Sequence, residues 1–212
     1  MDAEQSWQQA TGGWEVYRRA LSDLERQLDR QQWLAILNVL ATCRGKIAVT
    51  GIGTSGIAAR KIAHMLACIE HPAIWLSAAD AAHGDIGFLR ADDVLIMLSR
   101  GGNSDELTRL LPTLKSKGTT LVSVTENAAS AIAQAADLLL LMPKTQEIDP
   151  LKMLATTSII SVLAVFDAMI AALMTHSGFN TDILLKVHPG GNVGKQLREE
   201  DDGRKTDSAG SN

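Results

Sequence analysis

The stretch VTGIGTSGIAARKIAHMLA, residues 49–67, decides the fold. An apolar run breaks into a Gly-rich turn, and the turn leads into an amphipathic helix. That order is the strand–turn–helix unit of a parallel α/β protein, with glycines where a backbone can approach an anion. Neither standard fingerprint fits. G-x-G-x-x-G is complete at Gly51, Gly53 and Gly56, but the acid it requires about 20 residues on, at the end of the next strand, is missing. AIWLSAAD offers only Asp80, several residues past the strand. A P-loop needs a Lys after the last glycine, and Ile57 stands there.

Outward from this unit the same rhythm repeats. KIAVT, AIWLS, DVLIML, TLVSVT and LLLLM read as five short buried strands, with helical segments between most of them, which predicts an α/β domain with a parallel sheet and right-handed crossovers. A composition of 46% hydrophobic residues with only 4% aromatic suits helices layered on a sheet. In SDELTRLLPTLKSKG, Leu107, Leu110, Leu111 and Leu114 predict one amphipathic helix ended by Gly118. Residues 1–45 carry two helical patterns, expected to pack on the domain or at a subunit interface. Trp7, Trp14 and Trp33 are expected there as core or interface anchors. The apolar segment Ser158–Met174 holds Asp167 in its middle and falls short of about 20 residues, so it reads as a buried helix and not a membrane span. Residues 198–212 are charged and small and read as a disordered tail after a domain spanning 46–197.

Charge narrows the partners. The net charge is −4 and the bases are scattered among acids, which gives no footprint for nucleic acid. Cys43 and Cys68 lack metal-ligand spacing, and the first ten residues contain no apolar stretch of the kind a signal peptide needs, so the expected location is the cytoplasm, with no membrane partner.

In an open parallel sheet, ligands bind beyond the carboxyl ends of the strands, where loops run into helix N-termini. Two such loops are candidates. In the first, Gly53 frees the backbone, and Ser55 can cap the helix or offer its hydroxyl to an anion. In the second, LSRGGNSDELTRLL, a strand ends in Ser99, two glycines follow, and Asn103 or Ser104 begins a helix with Asp105 and Glu106 in its first turn. Together they predict a pocket for a small phosphate ester. Between them lies His83, next to Gly84 and Asp85. Later come Glu147, the hydroxyl run Thr156, Thr157 and Ser158 at a third anion-friendly helix start, and His188 in KVHPGGNVG.

The segments TGIGTSG, AAHGDIGFLRADDVLIMLSRGGNSDEL, DPLKMLATTS and VHPGGNVGKQL together resemble sugar isomerase (SIS) domains, and within them the arabinose 5-phosphate isomerases. The resemblance runs from about Lys46 to Leu197. It implies a flavodoxin-like three-layer sandwich around a five-stranded parallel sheet, assembled as a homotetramer. It also implies interconversion of D-arabinose 5-phosphate and D-ribulose 5-phosphate, without cofactor or required metal, toward an eight-carbon acid sugar of the bacterial envelope. Carried over residue by residue, substrate and phosphate contacts fall on Gly53, Thr54, Ser55, Ser99, Gly102, Asn103, Ser104, Thr156, Thr157 and Ser158. Catalysis falls on His83, Glu106 and His188, with Glu147 a further acid; His188 is expected from a neighbouring subunit, and His83 and His188 are possible contacts for an inhibitory metal. Such chemistry removes a proton beside a carbonyl and returns it one carbon away through an enediolate, which needs a base, a proton donor and stabilisation of the oxyanion.

Three departures stand out. Thr54 occupies a position where the family commonly has Lys, so Arg100 or Lys61 is a candidate substitute cation. Gly101 replaces a usual serine, and the family's frequent pair of C-terminal CBS modules is expected to be absent. Two alternatives therefore accompany the isomerase reading: a non-catalytic phosphosugar-binding module, and an isomerase for another sugar phosphate.

Overall fold

The computed structural model describes residues 2–199. Two helices, α1 (Ala3–Gln27) and α2 (Arg30–Thr42), lead into an alternating core. Its parts are β1 (Ile47–Gly51), α3 (Thr54–Cys68), β2 (Ala73–Trp75), α4 (Ala78–Ala81), a 3-10 turn at Asp85–Phe88, β3 (Val94–Leu98), α5 (Asp105–Thr108), α6 (Leu111–Lys117), β4 (Thr120–Thr125), α7 (Ala131–Ala135) and β5 (Leu138–Leu141). Then follow α8 (Thr157–Ser177) and α9 (Thr181–Val187). Residues 191–199 are helical too, so the helix takes in the first two residues of the polar stretch expected to be a tail; the rest of that stretch lies outside the described residues.

All five strands pair in parallel in the order β2-β1-β3-β4-β5. This is the flavodoxin-like doubly wound arrangement, with its topological switch between β1 and β3. The central strands are buried along their whole length, as both faces of a parallel sheet must be. Alternation then divides the core. Ile47, Val49, Ile96 and Val122 face a layer built from α2, α3 and α8, while Ala48, Leu95, Met97 and Leu121 face α4 to α7.

One difference from the sequence reading has a local cause. The helix expected from Ser104 to Lys117 is broken into α5 and α6, because Pro112 sits in the first turn of α6 and cannot donate a backbone hydrogen bond into the turn before it. Gly118 still ends it, at φ 69°. Trp7 and Trp14 are not core residues; both are exposed, whereas Trp33 packs against the larger cluster. Helix α8 is long and apolar enough to cross a membrane, and no other helix among the described residues is. Here it lies against α1, α2 and α3, with Phe166, Met169, Ile170 and Leu173 in the core, and Asp167 pairs with Lys61 of α3 at its surface.

Candidate active site

Strand register brings the two predicted loops together. Gly51 of β1 pairs with Leu98 of β3, and Leu98 with Val124 of β4, so all three strands end on one line. Ile52 and Ser99 begin the loops after β1 and β3, and Thr125 beside them is the last residue of β4. A narrow cleft opens here, lined by Ser55, Ser99, Arg100, Thr125, Glu126 and Ser158, with Leu98, Val124, Met142, Ile159, Ser161 and Val162 forming the rest of its wall.

At the first loop, β1 and α3 approach so closely that a Cβ on Gly51 would lie 2.8 Å from the Ser55 backbone, and one on Gly56 would lie 2.8 Å from the Gly51 carbonyl. Two glycines of the G-x-G-x-x-G pattern thus serve helix–strand packing. Gly53 is the N-cap of α3, and no side chain caps this helix. Ser55 does not take the capping role the sequence allowed it. It lies within the first turn and faces the cleft, and Thr54 beside it is exposed.

At the second loop, the Ser99 hydroxyl accepts the Gly102 N–H at 3.1 Å and stands 3.3 Å from the Ser104 hydroxyl. Gly102 has φ 72°, and any Cβ there would collide with Ser130 Oγ, so only glycine closes this turn. Asn103 turns away, its side-chain oxygen accepting the Ala131 N–H at 2.8 Å at the start of α7.

The third helix start is filled from within. Glu147, 1% exposed, places its carboxylate over the N-terminus of α8. Its Oε2 accepts the N–H groups of Thr156 (2.8 Å), Thr157 (2.6 Å) and Ser158 (3.3 Å) and the Thr156 hydroxyl (2.9 Å). Its Oε1 accepts the Ser158 hydroxyl (2.5 Å) and Arg100 Nη1–H (2.8 Å). Burial alone would push this carboxyl up, but the Ser158 and Thr156 hydrogen bonds outweigh it and hold the group below the usual carboxylate range. In the hydroxyl run read as a phosphate contact, Thr156 and Ser158 are engaged by the chain's own anion while the Thr157 hydroxyl is buried without a partner, and six donors converge on the Glu147 carboxylate.

Arg100 is the cation that lines the cleft. Besides Glu147 it donates from Nε to Glu126 (3.0 Å) and from Nη2 to the Thr145 carbonyl (2.7 Å), and Thr145 Oγ1 in turn donates to Glu126 (2.8 Å). Lys61 is committed to Asp167, outside the cleft. Glu126 and Thr125 were missed by the sequence reading. Both stand at the end of β4, where the rule about strand ends would have found them. His83, Glu106 and His188 line no part of the cleft within this chain. His83 and Glu106 are exposed, and His188 is half-buried at the end of α9 with Nδ1 buried and unpartnered. No group of three or more metal-type side chains is gathered among the described residues.

Comparisons with known proteins agree with this geometry. The SIS domain model matches residues 40–172. The arabinose 5-phosphate isomerase KpsF of Escherichia coli O6:H1 (strain CFT073) is 35% identical over 84% of this chain and 54% of its own length. The arabinose 5-phosphate isomerase KdsD of Shigella flexneri is 34% identical over 86% of this chain and 55% of its own. The chain thus spans about half the length of the curated relatives it matches. Among solved structures, a candidate sugar-phosphate isomerase from Listeria monocytogenes superposes with a TM-score of 0.87 at 41% identity, covering 90% of this chain and 100% of that one. An E. coli CFT073 protein in complex with arabinose 5-phosphate superposes at 0.84 with 30% identity, covering 89% and 100%. Sheet order, strand-end cleft and sequence agree, and the chain belongs to the SIS domain family.

Proposed function

We propose that this chain is an aldose–ketose isomerase interconverting D-arabinose 5-phosphate and D-ribulose 5-phosphate in the cytoplasm. The observation that carries the reading is the cleft at the ends of β1 and β3. There the Ser55 and Ser99 hydroxyls, the N-terminus of α3 with no side-chain cap, and the Arg100 guanidinium meet. Helix N–H groups and hydroxyls suit a phosphate, and Arg100, held by Glu126 and Glu147, fixes the wall beside it. Relatives named for arabinose 5-phosphate, and a structural neighbour in complex with that sugar phosphate, support the substrate.

The roles are those the family resemblance implies, although neither His83 nor Glu106 lines the cleft of its own chain. Ser55, Ser99 and Ser104 hold the phosphate, with the backbone of Gly53 and Gly102 lying close. His83 opens the ring and shuttles protons, and Glu106 takes the proton beside the carbonyl. His188, which lies outside the cleft of its own chain, enters from a neighbouring copy in a homotetramer. Glu147 acts by holding Arg100 and the start of α8 and transfers no proton. Catalysis needs no metal on this reading, and a divalent ion reaching His83 and His188 would inhibit.

The second reading, a non-catalytic phosphosugar-binding module, is favoured by one observation: Thr54 leaves the start of α3 without the cation common in the family. Turnover decides between them. Purified protein should form ribulose 5-phosphate from arabinose 5-phosphate, with and without a chelator, faster than from a panel of other aldose phosphates. A faster rate on another sugar phosphate would replace the substrate. Binding without turnover on any of them would establish the sensing module.

A further inference from the structure

Helix α1 presents a second surface, made of residues that do not line the cleft. Its inner face packs on α8, and the buried Gly13 lies against the Ile148 side chain. On the outer face Trp7, Trp14 and Leu21 are 58%, 54% and 42% exposed. They recur every seven residues, and a seven-residue step drifts only about 20° around a straight helix, so the three form one stripe along the axis. The two indoles stack edge to face, 5.4 Å between centroids and 82° between planes, which fixes each against the other. Residues 2–9 are exposed at every position, with Gln5, Gln8 and Gln9 bordering a surface pocket against Ile148 and Lys152, so Trp7 gains little burial from its own chain.

The stripe is symmetric about Trp14, with Trp7 and Leu21 seven residues to either side. Charge along α1 is not symmetric: residues 2–15 carry three acids and no base, a net −3, while residues 16–27 carry three arginines against two acids, a net +1. Two such helices laid head to tail bring each acidic half beside a basic half and oppose their macrodipoles; side by side in the same direction they set like against like.

We propose that α1 is the docking element for a second copy of this chain, two α1 helices pairing antiparallel across a two-fold axis at Trp14. Trp14 then packs on the partner's Trp14, and Trp7 on the partner's Leu21. The contact is isologous and closes on itself, so it yields a defined dimer seam and not an open chain. Nothing in it depends on the identity of the substrate.

Sedimentation velocity over a dilution series tests the seam. Trp14→Ser alters an exposed side chain and should keep the fold, checked by circular dichroism, while halving the mass of the assembly; an unchanged mass overturns the proposal. Direction is tested in a Cys43→Ser, Cys68→Ser background. The Trp7→Cys, Leu21→Cys double variant should oxidise to a covalent dimer and Trp7→Cys alone should not. A covalent dimer from Trp7→Cys alone means parallel pairing and overturns the antiparallel seam, and so does the absence of dimer from both.

Discussion

Helices α3 and α8 begin at the same end of the sheet, and both were read from sequence as starts that favour an anion. They solve the problem oppositely. The start of α8 is closed by Glu147, which takes three backbone N–H groups, two hydroxyls and one guanidinium N–H. The start of α3 has a glycine N-cap and no side chain on its N–H groups, with Ser55 turned to the cleft. A helix N-terminus has a fixed capacity for negative charge. Where the chain supplies that charge itself, the site is structural, and where it does not, the donors remain for a ligand. The pair separates what holds the cleft together from what the cleft holds.

The sharpest way to break this comparison is to remove the internal anion. Glu147→Ala strips the capping carboxylate from α8, worth about 1 kcal/mol. It also leaves buried donors without their acceptor, on a pair that is buried at Glu147 but 39% exposed at Arg100, worth about 1–3 kcal/mol, in sum about 2–4 kcal/mol. For a chain of this size that is a fall of roughly 10 °C in Tm, read by thermal circular dichroism. If Glu147 were instead a free acid–base group, activity would vanish while Tm stayed put. The same carboxylate gives a pH signature. Its folded pKa lies below the unfolded value, so its stabilisation is complete above about pH 5 and is lost as pH falls through the folded value. Asp93, held low by Lys46 against its own burial, contributes in the same sense. The difference between wild type and Glu147→Gln in denaturant titrations from pH 7 to pH 3 isolates the Glu147 share. That difference should shrink as pH falls.

Next in size is the contrast between two serines. Ser55→Ala removes a hydroxyl that faces the cleft at the start of α3. It should lower kcat/KM about 10- to 100-fold, mainly through KM, as expected for one hydrogen bond to a charged ligand, with Tm nearly unchanged. Ser158→Ala removes a donor to Glu147 and should do the reverse, costing about 1–3 kcal/mol of stability with a smaller change in KM. Equal effects on both quantities in both variants would erase the distinction between the two helix starts.

How much of this was legible beforehand differs by layer. Strands were readable because parallel sheet buried on both faces writes continuous apolar runs: TLVSVT was placed to the residue, and the other four within one or two. The loops at strand ends were readable for the same reason, since topology alone aims them at one side of the sheet. What escaped was competition between groups distant in sequence. The Thr156–Ser158 run and Ser99 look alike as hydroxyls beside a helix start, and nothing local reveals that Glu147, nine residues before the first, claims one of them. Arg100 could be nominated as a cation, but its three partners come from three different positions beyond β4 and β5. Trp7 and Trp14 were expected as core or interface anchors, and their exposure leaves only the second, because hydrophobic period reports a face and α1 has one face on α8 and another in solvent.

The smallest expected effect tests the open start itself. Thr54 is exposed in the first turn of α3, next to Ser55, and forms no cap. Lys at that position would set a mobile cation beside the same N–H groups that attract the phosphate, adding a favourable charge for both bound substrate and enediolate. A positive charge at a helix N-terminus opposes the dipole by about 0.3–1 kcal/mol, so Thr54→Lys should lower stability slightly. Against that loss, a dianionic ligand gains a screened surface interaction of about 1 kcal/mol, a several-fold rise in kcat/KM that fades with added salt. The same Lys at Thr156, where Glu147 already satisfies the helix start, should cost stability by displacing the Thr156 hydroxyl and bring no gain in turnover. A gain at both positions would mean that general electrostatic attraction, and not the open helix start of α3, holds the phosphate.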